Sequence, residues 1–176
     1  MEKSKVYFTK EISPENLIKI YDALGRDLKG KVAVKISTGE PGGHNFLNPN
    51  LIKDLIHKLN GTIVECNTAY GGRRNKTDEH WKAIKEHGFL DIANVVLMDE
   101  EGEMSIPVEN GFHLKENIVG SHLKNYDSIL ILSHFKGHAM GGFGGALKNM
   151  SIGIGSSNGK ANIHTAGKVK TPEELW

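Results

Sequence analysis

The chain has a single cysteine, Cys66, among 176 residues. One thiol excludes an internal disulfide and fits a reducing compartment. It also excludes a cysteine-ligated iron–sulfur cluster held by this chain alone, since such clusters need several thiolates. No apolar run approaches the ~20 residues of a membrane-spanning helix, and the opening MEKSKVYFTKEISPEN lacks the apolar stretch and cleavage site of a signal peptide. An excess of one charge is missing too. Lys and Arg number 22 against 21 Asp and Glu, a net +1, so no overall field draws the chain to nucleic acid or anionic membrane. These absences predict a soluble, cytoplasmic protein with neither nucleic acid nor membrane as partner.

What is present describes one ordinary domain over residues 1–176, with 38% apolar and 24% charged residues. Short β-like runs alternate with helical stretches. VYFT (6–9) reads as a strand, and Ser13-Pro14-Glu15 then caps a helix carrying Leu17, Ile20, Tyr21 and Leu24. KVAVKIS (31–37), TIVEC (62–66), ANVVLMD (93–99) and DSILILS (127–133) are further strands, with a short edge strand near Met104–Val108. Asn48-Pro49 opens a second helix, with a stripe of Leu51, Ile52, Leu55, Ile56 and Leu59. Asp78 to His87 forms a third, closed by Gly88. The expected fold is therefore α/β: three layers, a mostly parallel sheet with helices on both faces. The tail KVKTPEELW reads as an opening helix, which raises the expectation of a longer protein.

In such sheets ligands gather beyond the carboxyl ends of the strands. Gly is abundant at 21 residues and crowds into 137–159, inside a segment from Ser133 to His164 that follows a predicted strand. Gly141, Gly142, Gly144 and Gly145 allow backbone amides to approach a ligand, and the helix start at Ala146–Met150 would turn them into an anion-binding nest. Lys136 and Lys148 would add charge, and Arg73 and Arg74 in a second strand-end loop offer guanidinium forks to carboxylate or phosphate. The spacing is neither a Walker loop nor a dinucleotide fingerprint. The competing reading is that these glycines serve a tight turn and close packing.

His134 and His138 are candidate acid–base groups, and with His164 and His44 they are candidate ligands of a divalent metal. A solvated or hydrogen-bonded loop residue is the alternative for each. His57, His80, His87 and His122 lie in helical or charged contexts and are expected at the surface. Cys66, at a strand end, reads as a buried small hydrophobe rather than a nucleophile.

The segments NTAYGGRRNKTDEHWKAIKEHGF and LSHFKGHAMGGFGGALKNMSIG, with GGHNFLNPNLIKDLI before them, resemble the family called domain of unknown function 362. Members often carry a ferredoxin-type module with two iron–sulfur clusters. The resemblance therefore implies a redox-linked setting and a ferredoxin-type partner module. This chain has no CxxCxxC run, so 4Fe-4S clusters would belong to a C-terminal module outside it. A second similarity is to nickel-pincer lactate racemase, with His134 at the first histidine, Gly142 to Lys148 at the turn, and Asn162 and His164 at the second. Three functions follow as expectations: a metal- or small-anion-binding domain of an iron–sulfur-associated protein, an isomerase- or racemase-like enzyme using His134, His138 and His164, or a non-catalytic interaction domain.

Overall fold

A computed structural model describes residues 3–175; Met1, Glu2 and Trp176 lie outside it. The first helix, α1 (Pro14–Ala23), starts where the Ser13 hydroxyl accepts the Asn16 amide at 3.2 Å and Pro14 supplies a helical φ. α2 (Pro49–Leu59) repeats the device, with the Asn48 side chain accepting the Asn50 amide at 2.9 Å. It stops at Asn60 in the left-handed region, φ 47°. α3 (Thr77–Glu86) carries Asp78 and Glu79 in its first turn, where acids favour the helix dipole.

The strands β1 (Val32–Lys35), β2 (Thr62–Glu65), β3 (Val95–Leu97) and β6 (Ser128–Ile131) form one parallel sheet in the order β3-β2-β1-β6. Val34 sits opposite Ile63 on one side and Leu130 on the other, and Ile63 sits opposite Val95. One face is closed by α1, α2 and α3: Val32, Val34, Ile63 and Leu97 pack with Ile52, Ile56, Ile84 and Phe89, and Leu17 packs against them. Each such side chain contributes ~1.5–3 kcal/mol by leaving water. The other face, with Ala33, Val64, Cys66 and Met98, is covered by Leu123 and Tyr126 from a short 3-10 segment and by Ile154. The mostly parallel α/β architecture holds, and its second helical layer is the thinner one.

Two antiparallel pairs flank the sheet. β4 (Glu103–Pro107), close to the edge strand expected near 104–108, pairs with β5 (Glu116–Gly120). β7 (Lys136–His138) and β8 (Gly142–Gly144) form a hairpin in what the sequence presents as loop, its turn using Gly142 at φ 68°. Two helices complete the chain, α4 (Ala146–Ser151) and α5 (Ser157–His164). α5 replaces the glycine-rich loop expected before His164. Its N-cap, Ser156, accepts the Gly159 amide at 2.9 Å. Gly159 is there because α5 lies against β5: a Cβ would stand 1.8 Å from the Ile118 carbonyl oxygen.

Two expectations are corrected. Val6–Thr9 is not a strand: no sheet edge pairs with it, and Val6 and Phe8 are exposed. Alternating apolar residues make a strand only beside a partner. His80 is not at the surface but fully buried, because α3 turns it under the carboxyl end of β2. The tail closes as a 3-10 turn at Pro172–Glu174, while Trp176, part of the predicted opening helix, lies outside the described residues. Among the described residues no helix is long and apolar enough to cross a membrane.

Candidate functional site

β1 has β2 on one side and β6 on the other, so the chain leaves their carboxyl ends in opposite directions. That is the topological switch point, where a parallel α/β sheet opens a crevice. A cleft of about 650 Å³ occupies it, a size suited to a small molecule. Its walls come from the ends of β1 and β2, the loop 37–45, the loop around Tyr70, the β7–β8 hairpin, α4 and α5.

The floor is a buried ionic network. Lys35, 1% exposed, ends β1 and donates to the Ile36 carbonyl at 2.6 Å, to Asn149 Oδ1 at 2.8 Å and to Glu65 Oε2 at 2.9 Å. Glu65 also accepts the Cys66 amide at 2.9 Å and faces Arg74 Nη1 at 3.4 Å. Burial pushes the Glu65 carboxyl up, but the Lys35 and Arg74 charges outweigh it and hold it at about 2. Arg74 reaches on to Glu40 and to the Tyr70 hydroxyl, 3.0 Å away. Asn149 ties the switch point together: its amide nitrogen donates to the Lys35 carbonyl at 3.1 Å and to Ser133 Oγ at 2.9 Å, joining the ends of β1 and β6.

Behind this floor His80 bridges Thr38 Oγ1 and Asn67 Oδ1, both at 3.0 Å. Because the Asn67 oxygen accepts, the His80 proton sits on Nδ1 and Nε2 accepts the Thr38 hydroxyl. Burial holds this ring down at about 4, so it is neutral near pH 7. Asp99 gathers the Asn67 amide at 2.9 Å and the Ser157 amide at 3.0 Å, locking the start of α5 to the sheet.

Above the floor, lysines from β7, α4 and α5 line the cleft. Lys148 is half-buried, and burial followed by the charges of Lys136 and Lys35 lowers its ordinary lysine value. Lys160 on α5 is 7% exposed and lines the cleft; its Nζ donates to the Gly155 carbonyl at 2.6 Å. Burial lowers it too, against the opposing pull of Cys66, Glu65 and Asp99. His164, one turn further along α5, is lowered by burial and then by Lys148, His138 and Lys160. Among the described residues no carboxylate forms an ion pair with Lys136, Lys148 or Lys160.

The sequence candidates divide accordingly. His134, Lys136, His138, Gly144, Gly145, Lys148, His164 and Arg74 line the cleft; His44, Arg73, Gly141 and Gly142 do not. Arg73 is held outside by Glu79 at 3.0 Å and Glu86 at 2.9 Å, and Arg74 is engaged by Glu40 and Glu65. His138 Nδ1 accepts the Met140 and Gly141 amides at 3.3 and 3.1 Å, which fixes the hairpin turn and leaves the neutral ring its proton on Nε2. The Nδ1 of His134 is buried without a hydrogen-bond partner among the described residues. Asn162 is turned away, donating to the Val169 carbonyl at 3.1 Å. α4 has six residues and starts without a side-chain cap, so the glycines before it build a hairpin edge rather than a long helix's positive pole. Among the described residues no three His, Cys, Asp or Glu side chains are grouped to hold a metal ion.

Sequence reasoning missed Lys35, Glu65, Asn149 and Lys160. A signal existed for two of them. Lys35 and Glu65 are opposite charges set inside apolar runs that read as central strands, where an unpaired charge is not tolerated. Lys160 had no such signal, because its segment did not read as a helix.

Cys66 is buried, donates to the Ile154 carbonyl at 3.4 Å and is pushed up to about 12 by burial, so it is a packed thiol as expected. No curated protein and no solved structure matches this chain. Apart from Leu175, the residues that line the switch-point cleft lie within the stretch, residues 32–174, matched by the model of the family described as Domain of unknown function (DUF362), and the chain belongs to that family.

Proposed function

We propose that this domain binds a small organic anion in the cleft between β1 and β6. The observation that carries the reading is the juxtaposition of Lys136 and Lys148 in the cleft, with no carboxylate in ion-pair contact with either among the described residues. Burial first, and then the charges of Lys136 and Lys35, lower Lys148, and an anion bound between the two cleft lysines relieves the repulsive part. The floor cannot take this role, because Lys35 and Arg74 are already matched by Glu65 and Glu40. A carboxylate or phosphate entering the mouth therefore meets Lys136 and Lys148, two ammonium groups that no carboxylate neutralises among the described residues.

Isothermal titration with malonate and with inorganic phosphate tests this. Binding that weakens with added salt, and weakens about tenfold (~1.4 kcal/mol) in Lys148→Met, is the expected result. Affinity unchanged in the Lys136→Met/Lys148→Met double variant overturns it. A divalent-metal site has one observation in its favour, the buried Nδ1 of His134, which has no hydrogen-bond partner among the described residues. Elemental analysis of the protein and of His134→Ala decides that second reading: metal present in the first and lost in the second supports it.

A further inference from the structure

We propose that Lys160 is a carbonyl-condensing amine: a 2-oxo acid whose carboxylate sits at Lys148 and Lys136 forms an imine with the Lys160 Nζ. The inference rests on the anion-binding reading of the same cleft and adds a substrate class and a covalent step to it.

The argument starts from a contrast within the molecule. Lys35 and Lys160 are both almost wholly buried. Lys35 satisfies its ammonium with three acceptors within 2.9 Å, one of them a carboxylate, as a structural buried lysine must. Lys160 has a single acceptor, the Gly155 carbonyl at 2.6 Å, and no ion-pair partner among the described residues. An ammonium left so under-satisfied in a dry wall is costly, and the cost falls when it gives up its proton. The uncharged amine is the nucleophilic form.

Position supplies the rest. Lys160 and His164 are four apart on α5, hence on one face, and both line the cleft. The amine lies deeper and the imidazole, exposed, nearer the mouth. Lys136 of β7 and Lys148 of α4 line the same cleft, so a carboxylate held between them leaves an adjacent ketone within the cleft that α5 also lines. Cys66, the other buried nucleophile in the wall, is bonded to the Ile154 carbonyl and kept protonated.

In the step itself the nitrogen lone pair attacks the carbonyl carbon. A C–N bond forms and the π pair moves to oxygen. The two protons that leave nitrogen pass by way of His164 to that oxygen, the C–O bond breaks, and water departs. Amine plus ketone gives imine plus water, with no oxidant or reductant. The imine then draws electrons from the neighbouring carbon, which fits chemistry that makes or breaks a bond there.

The test is reductive trapping. The full chain is incubated with pyruvate and sodium cyanoborohydride, then analysed by intact mass and peptide mapping, with malonate titrated in parallel. The expected result is one adduct, the mass of pyruvate less one oxygen atom, located on Lys160 and suppressed by excess malonate. It should be absent from both Lys160→Arg, which keeps the charge, and Lys160→Met. Malonate binding with Lys160 unmodified overturns the imine and leaves the anion site standing. Neither binding nor adduct overturns both. Adducts spread over exposed lysines and indifferent to malonate also overturn the imine. Because the wild-type chain carries the primary readout, poor folding of a variant cannot mask the answer.

Discussion

Residue by residue, the cleft separates charges that hold the fold from charges left for a ligand. Glu65 belongs to the first kind, with Lys35 at 2.9 Å and both groups nearly inaccessible to water. Breaking such a pair from one side strands the other charge, which costs ~3–5 kcal/mol. Glu65→Gln should therefore lower the free energy of urea unfolding at pH 7 by that amount. The double variant Lys35→Met/Glu65→Gln should lose less than the sum of the two single losses, because neither charge is then stranded. A loss below ~1 kcal/mol in Glu65→Gln would mean that water reaches the network. Lys148 is the opposite case. Among the described residues it has no ion-pair partner to lose, so Lys148→Met should leave the unfolding free energy within ~0.5 kcal/mol while it weakens anion binding.

At the level of elements, the decisive contact is α5 against β5, because it presents Lys160 and His164 to the cleft. Gly159 permits it. Gly159→Ala places a methyl 1.8 Å from the Ile118 carbonyl oxygen, so α5 must lift, with an expected cost of at least ~1–3 kcal/mol in a thermal melt. Gly137→Ala in β7 meets nothing within 4 Å and should be nearly silent. Equal melting temperatures for the two variants would refute this account of the helix's seat. The same pair explains what could be read in advance. α1, α2 and the four parallel strands announce themselves through caps and β-branched runs, which are local signals. β7, β8 and α5 are glycine-rich, and their glycines serve neighbours distant in sequence: the hairpin turn and the Ile118 carbonyl. Their residues therefore read as loop. Val6–Thr9 fails the other way, since a correct local pattern had no sheet edge to join.

Across the whole molecule, the switch point between β1 and β6 is where function and acid sensitivity meet. The strand-end logic led to the Ser133–His164 segment, yet of the buried groups beneath it only Lys35 and Glu65 left a mark in the sequence, as charges inside apolar runs; the others could not be placed without knowing which elements adjoin. His80 is the clearest example. Its folded-state value is about 4 against an ordinary 6.5, so between those limits the unfolded chain binds a proton that the folded one refuses. Stability from this group is complete above pH 6.5 and is lost as the pH falls toward 4. Glu65 takes over at lower pH: its value drops from 4.5 to about 2, so its contribution is complete above 4.5 and is lost as the pH falls toward 2. The two windows join, and stability should decline steadily from pH 6.5 downward rather than collapse at one point. Between pH 7 and pH 5 the His80 share is ~2 kcal/mol, a large part of a marginal total. His80→Gln keeps a side chain able to bond Asn67 and Thr38 but cannot titrate. Urea midpoints at pH 7 and pH 5 should therefore separate widely in the native sequence and lie close together in the variant. If both proteins lose stability equally over that interval, His80 is not the group through which acid unfolds this domain.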